Sequence, residues 1–193
     1  INNTNCEYIH IDVMDGTFVP SSAFDSDTIK KINLLSKKKL DFHLMVNNPS
    51  SYIENCVKQG ASIITIHLEE NTNINKDIKF IKDLGCKVGL AINPNTSIKE
   101  ASKFLKDIDI LLLMSVFPGR GGQKFINKTY SKIKFANSLI NQKKLNVKIE
   151  IDGGVDNRVS NKLFDIGANI LVSGSYVVKN KNKYHAVSTL KNQ

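Results

Sequence analysis

His10-Ile11-Asp12-Val13-Met14-Asp15-Gly16 alternates polar chemistry with hydrocarbon. In an extended strand successive side chains point to opposite faces, so His10, Asp12 and Met14 project from one side and Ile11 and Val13 from the other. Taken alone, the stretch is a half-buried strand with a solvent-facing polar side. The pattern returns, however. Asp41-Phe42-His43-Leu44-Met45-Val46 places His43 and Met45 on one face, and Glu150-Ile151-Asp152-Gly153-Gly154 ends another apolar strand in a carboxylate. These strand ends together offer the imidazoles of His10 and His43 and the carboxylates of Asp12 and Asp152.

Working outward, strands are expected over 8–13, 40–46, 61–68, 88–92, 109–116, 147–151 and 169–172, as apolar runs bounded by glycine. Helices are expected over 26–36, from Pro49 to Gly60, and over 76–84, 97–105, 127–141 and 157–164, with a final one closing the chain. Thr96 or Ser97 supplies an N-cap. Strand and helix alternate throughout, the signature of a parallel sheet covered by helices. A doubly wound open sheet satisfies the same count, but the polar residues lie at strand ends scattered along the whole sequence rather than beside one switch point. A (β/α)8 TIM barrel gathers all such ends around one mouth. The count is one βα unit short of eight, and 193 residues falls just below the usual ~200. The chain opens at Ile1, so the expectation is a single barrel domain over 1–193 lacking its first βα unit.

With 41% hydrophobic residues the chain can bury a sizeable core. No apolar run approaches the roughly 20 residues of a membrane span and no signal-peptide segment opens it, so a soluble, cytoplasmic protein without a membrane partner is expected. Cys6, Cys56 and Cys86 are widely spaced, which argues against a disulfide framework or a cysteine metal site. The formal charge of +9 is almost all lysine, scattered and mixed with asparagine; Arg120 and Arg158 are the only arginines and tryptophan is absent. Nucleic-acid surfaces cluster basic residues with stacking aromatics, so no nucleic-acid partner is expected.

His10, Asp12, His43 and Asp152 form a candidate site for one divalent cation, with nitrogen and oxygen donors that suit zinc, iron, manganese or cobalt. By spacing alone such a quartet is as often structural. Pro118-Gly119-Arg120-Gly121-Gly122-Gln123, Gly153-Gly154 and Gly174-Ser175 follow strands and precede helices, where backbone N–H groups approach a phosphate. Each pair alone is also an ordinary turn. Met14, Met45 and Met114, the only methionines, lie near strand ends. Core filling is their ordinary role; over a metal they would exclude water. His67 and Glu69 end a further strand and receive no assigned role. Lys124 and Arg158 are expected to be surface charges.

The sequence resembles the ribulose-phosphate 3-epimerase family. The resemblance is carried by His10-Ile-Asp-Val-Met-Asp-Gly-Thr-Phe-Val-Pro20, Asp41-Phe-His-Leu-Met-Val46, Gly89-Leu-Ala-Ile-Asn-Pro94, Met114-Ser-Val-Phe-Pro-Gly-Arg-Gly-Gly-Gln-Lys-Phe125, Ile151-Asp-Gly-Gly-Val155 and Val172-Ser-Gly-Ser175. It implies a metal, zinc foremost, on His10, Asp12, His43 and Asp152, with Asp12 and Asp152 as the acid/base pair. It also implies sugar-phosphate contacts from His43, Gly119, Arg120, Gly121, Gly122, Asp152, Gly153, Gly154, Val155, Gly174 and Ser175, an active site lined by Met14, Met45 and Met114, and a homo-oligomer. Departures are Phe117 in place of a usual glutamate, Arg120 in place of an apolar residue, Thr17 in place of a common histidine, and no counterpart of the strand carrying a substrate-contacting serine.

The reaction so implied interconverts D-ribulose 5-phosphate and D-xylulose 5-phosphate. A cation at the C2 and C3 oxygens acts as Lewis acid, a cis-enediolate forms, and one aspartate removes a proton while the other returns one to the opposite face. The alternatives are a hexulose 6-phosphate 3-epimerase and a sugar-phosphate-binding barrel without turnover.

Overall fold

The computed structural model describes residues 1–20, 26–69 and 71–191. Strands and helices alternate as β1 (Tyr8–Met14), α1 (Ser26–Leu35), β2 (Lys39–Met45), α2 (Ser50–Lys58), β3 (Ala61–His67), α3 (Ile74–Asp83), β4 (Lys87–Ile92) and α4 (Ile98–Ala101). They continue as β5 (Ile110–Met114), α5 (Thr129–Gln142), β6 (Lys148–Asp152), α6 (Ser160–Asp165), β7 (Ile170–Val172), α7 (Ser175–Lys179) and α8 (Lys183–Ser188). The seven strands form one parallel sheet in the order β1 to β7, each hydrogen-bonded to the next. The sheet curls into a nearly closed (β/α)8-type barrel: His10 Nδ1 on β1 lies 3.9 Å from Glu150 Oε1 on β6, across the interior. Among the described residues no ladder joins β7 to β1.

The core divides between two sides of the sheet. Outside, Ile11, Phe42, Leu44, Ile64, Ile66, Leu90, Leu111 and Ile151 pack against helix residues such as Ile53, Ile78, Ile81 and Ile133. Inside, a small apolar group of Ala91, Leu112, Met114 and Val116 leaves the remaining volume to polar side chains. Period-two alternation therefore sorts hydrocarbon toward the helices and chemistry toward the barrel axis. Gly89 makes room for one such interior residue, since a Cβ there would lie 2.0 Å from Thr65 Oγ1.

Three expected elements are shorter or divided. The helix expected over 97–105 is α4 alone, capped by Ser97 in a capping box with Glu100. Beyond it Phe104 N–H donates to Ala101 O and Asp107 N–H to Phe104 O, tighter turns that bury Phe104, Leu105 and Ile108. The helix expected over 157–164 begins at Ser160, because Asp156 Oδ1 accepts from Arg158 N–H and holds a turn first. The closing helix divides into α7 and α8, the second capped by Asn182, whose side chain accepts from His185 N–H. Among the described residues no helix is long and apolar enough to cross a membrane.

Candidate active site

Strand register assembles the site. In the β1–β2 ladder His10 lies opposite Asp41, Asp12 opposite His43 and Met14 opposite Met45; in the β5–β6 ladder Met114 lies opposite Asp152. Donor atoms of His10, Asp12, His43 and Asp152 all fall within 4.8 Å of one another, so the quartet expected from the sequence converges. His10 stands in the middle of β1 rather than at its end. It also belongs to a second cluster with Asp41 and Glu150.

Each imidazole is held by a carboxylate. His10 Nδ1 is 2.7 Å from Asp41 Oδ2, and its Nε2, 3.3 Å from Asp12 Oδ1, is buried with no hydrogen-bond partner. His43 Nδ1 is 3.1 Å from Asp12 Oδ1 and 3.8 Å from Asp152 Oδ2. Its other nitrogen, Nε2, is 2.8 Å from His67 Nε2. His67 Nδ1 in turn is 3.1 Å from Glu69 Oε2.

The environments drive the two proposed acid/base carboxylates apart. Burial opposes ionisation of Asp12, but the imidazoles of His10 and His43 beside it outweigh that and hold the carboxyl well below its usual range. Burial, reinforced by the charge of Asp12, pushes Asp152 up to about 7. Burial takes His43 down to about 4, so its ring is neutral at pH 7. For His10 burial is again the largest effect and opposes charge, yet Asp41 and Asp12 together keep its pKa well above the usual imidazole value. Glu150 is raised well above the carboxylate range by burial and by Asp41.

Around this cluster runs a cavity of about 430 Å³. His10, Asp12, Asp152, Met14, Met45 and Met114 line it, and so do Gly119 to Gly122, Gly153 to Val155, Gly174 and Ser175. His43 does not: it is 0% exposed and sits below Asp12 as a supporting group. The same cavity reaches Tyr8 on β1 and Leu171 on β7, so it opens along the seam of the barrel.

The glycine loops are tied to one another. Ser115 Oγ donates to the carbonyls of Asp152 (2.8 Å) and Gly153 (2.6 Å), and Ser173 Oγ donates to Val155 O (2.7 Å). Gly154 has φ +65° and approaches so closely that a Cβ would lie 2.5 Å from Phe125 N. Gln123 Nε2 donates to Phe117 O and Arg120 O, closing the loop after β5. Gly119 to Gly122 and Gly153-Gly154 stand several residues before α5 and α6, so they present loop backbone rather than helix ends. Arg120 is exposed at the rim. Lys124 and Arg158 are exposed as expected, Arg158 pairing with Asp156.

Sequence reading overlooked Asp41, Glu150, Ser115 and Phe18, and left His67 and Glu69 without a role. Asp41 and Glu150 each precede a singled-out residue by two, the spacing that puts both on one strand face, so that signal was present. Phe18 gives no such signal: its ring packs 4.8 Å from His67 only because the loop after β1 folds back over the mouth.

A parallel βα barrel with carboxylates and imidazoles converging at its mouth belongs to the class of barrel enzymes whose chemistry lies at the C-terminal strand ends. A model of the ribulose-phosphate 3 epimerase family matches residues 1–178, and the chain belongs to that family. It is 36% identical to ribulose-phosphate 3-epimerase of Synechocystis sp. over 100% of this chain and 84% of the relative. To the ribulose-phosphate 3-epimerase of Chlamydia pneumoniae it is 40% identical, over 92% of this chain and 78% of the relative. Among solved structures, a variant tryptophan synthase alpha-subunit from Pyrococcus furiosus superposes with TM-score 0.66 at 15% identity, over 95% of this chain and 84% of that one, a likeness of fold alone. The chain is accordingly an isomerase of the epimerase type, and its substrate class is a small sugar phosphate.

Proposed function

We propose that the chain interconverts D-ribulose 5-phosphate and D-xylulose 5-phosphate by proton transfer at C3 between two aspartates, assisted by one divalent cation. The observation that carries this reading is the convergence of Asp12 and Asp152 on one point while their surroundings favour opposite protonation states.

The residues fit a cation: the quartet supplies two imidazole nitrogens and two carboxylates, and the buried His10 Nε2 has no other partner. His10, Asp12, His43 and Asp152 would hold the divalent ion, zinc before iron, manganese or cobalt, and once bound it would supply Lewis acidity that stabilises negative charge developing on the substrate. An ionised Asp12 removes the C3 proton from one face, and a protonated Asp152 returns one to the other face of the planar enediolate; the reverse reaction exchanges their roles. Met14, Met45 and Met114 exclude water from the reacting carbon. Backbone N–H groups of the loops containing Gly119 to Gly122, Gly153 to Val155 and Gly174-Ser175 hold the phosphate, so that binding energy becomes orientation of C3.

The test is deuterium incorporation at C3 of ribulose 5-phosphate in D2O, before and after chelation. Exchange that chelation abolishes and added metal restores is expected. Failure to exchange with metal present and sugar phosphate bound would overturn the proposal, and faster exchange on a hexulose 6-phosphate would reassign the substrate.

A further inference from the structure

We propose that a second cavity, adjoining the glycine loops, is a cationic approach to the phosphate site, and that Lys124 and Lys179 within it are specificity-determining residues that draw in and retain dianionic ligands. The proposal rests on the reading above that those loops hold the substrate's phosphate.

The second cavity measures about 760 Å³ and meets the substrate cavity at the loops, since Gly122, Gln123, Gly154, Val155 and Ser175 line both. A phosphate held by that backbone therefore lies where the two cavities join. Each of the three βα connections concerned contributes one cation to the second cavity: Lys124 after β5, Arg158 after β6, and Lys179 at the end of α7, which follows β7. Among the described residues the one carboxylate in its lining is Asp156, and Arg158 Nε donates to it at 2.8 Å. Those two charges cancel. Lys124 and Lys179 form no ion pair among the described residues, so they set the sign of the cavity.

Backbone packing fixes where each lysine starts. On one side of Lys124, Gln123 Nε2 closes the loop through Phe117 O and Arg120 O; on the other, Ile126 N–H donates to Ser115 O at 2.9 Å and the Phe125 ring packs 5.0 Å from that of Tyr130. Ser175 and Lys179 stand four residues apart in α7 and share one helix face. Tyr176 Oη, 3.0 Å from Thr189 Oγ1 at the end of α8, pins that helix in place. The lysine side chains themselves are exposed. They act through their field rather than through a fixed contact, and a concave site focuses that field on an approaching anion. An unphosphorylated sugar gains nothing from it.

The experiment measures affinity for inorganic phosphate by 31P NMR titration, and kcat and KM for ribulose 5-phosphate, in about 10 mM and about 1 M salt, where charges are screened over about 30 Å and about 3 Å. Lys124→Gln/Lys179→Gln is expected to weaken phosphate binding and raise KM about 5- to 20-fold in low salt with kcat unchanged, and to fall within about twofold of wild type in high salt. Lys124→Arg/Lys179→Arg keeps the charge and should keep the affinity. Lys87→Gln/Lys148→Gln removes the same charge at the starts of β4 and β6, the end of the barrel away from the mouth, and should leave low-salt phosphate binding within about twofold of wild type. Wild-type affinity in the Lys124/Lys179 glutamine pair at low salt would overturn the proposal, as would an equal loss in the Lys87/Lys148 pair or a loss that persists in high salt. Salt-dependent phosphate binding that needs Lys124 and Lys179, in protein that exchanges no C3 proton, would refute the epimerase reading and leave the cationic approach standing. C3 exchange with phosphate affinity indifferent to both lysines would do the reverse.

Discussion

Asp12 and Asp152 carry opposite protonation tendencies although both are aspartates at strand ends a few ångströms apart. The difference is one of partners: Asp12 lies against two imidazoles, that of His43 within hydrogen-bonding distance, whereas Asp152 is buried against the charge of Asp12. Asp152→Asn cannot carry a proton between substrate faces, and is expected to lower turnover and C3 proton exchange by about 10²- to 10⁴-fold while sugar phosphate still binds. Near wild-type exchange in that variant would rule out the two-acid scheme. The buried titratable groups also make stability depend on pH. His10 and Glu150 have pKa values raised by folding, so their stabilisation is complete below the unfolded values and is lost as pH rises through the folded ones. Asp152, raised to about 7, loses its contribution as pH climbs toward 7, while His43, lowered to about 4, gains across much of the same window. The two offset each other in acid, and above pH 7 the loss from His10 and Glu150 remains. Metal-stripped protein should therefore melt at lower temperature as pH rises above the usual imidazole value of 6.5 through the raised His10 pKa, and added zinc should flatten the trend; a Tm rising in that direction would contradict it.

Among the elements, the loops bind the strand ends into a single mouth. Asp15 organises the loop after β1, its Oδ1 accepting from Thr17 and Phe18 N–H and its Oδ2 from Asn47 N–H beyond β2. Although burial opposes its charge, these hydrogen bonds hold Asp15 below the usual carboxylate range, and the stabilisation is lost as pH falls through that depressed value. Asp15→Ala should cost about 1 kcal/mol, read from urea unfolding at pH 7, with the difference from wild type shrinking in strong acid. Gly154 marks a close approach between loops. Gly154→Ala brings a Cβ against Phe125 N and requires an L residue at φ +65°, so about 1–3 kcal/mol of stability and most of the phosphate affinity should be lost together. Wild-type affinity for inorganic phosphate in that variant would remove the loop from the phosphate site.

For the whole molecule, the informative feature is the seam. β3, β4 and β5 have hydrogen-bonded neighbours on both sides, whereas β1 and β7 each pair on one side among the described residues. Backbone amides of β1 and β7 that turn toward the seam are therefore expected to exchange with solvent orders of magnitude faster than those in β3 to β5. Uniform protection across all seven strands would show that the seam is covered in solution. Because the cavity extends to Tyr8 and Leu171, such covering would also narrow the site.

Alternation along 10–16, 41–46 and 150–154 determined which side chains face the barrel axis, because a pleated strand offers no other arrangement. Apolar runs between glycines determined the parallel βα order, since strands covered by helices on one face and closed inside a barrel on the other read as largely apolar stretches. The quartet of His10, Asp12, His43 and Asp152 was legible on those grounds together with the family motifs. Tertiary structure alone decided what lies beneath it. Asp41 behind His10, Glu69 and His67 behind His43, and Phe18 over His67 are set by strand register and loop return. Those contacts join residues up to 49 positions apart, from Phe18 to His67, and no local periodicity encodes them. The same holds for ionisation: two aspartates are equivalent in sequence, and only burial and neighbouring charge lower the pKa of one and raise that of the other.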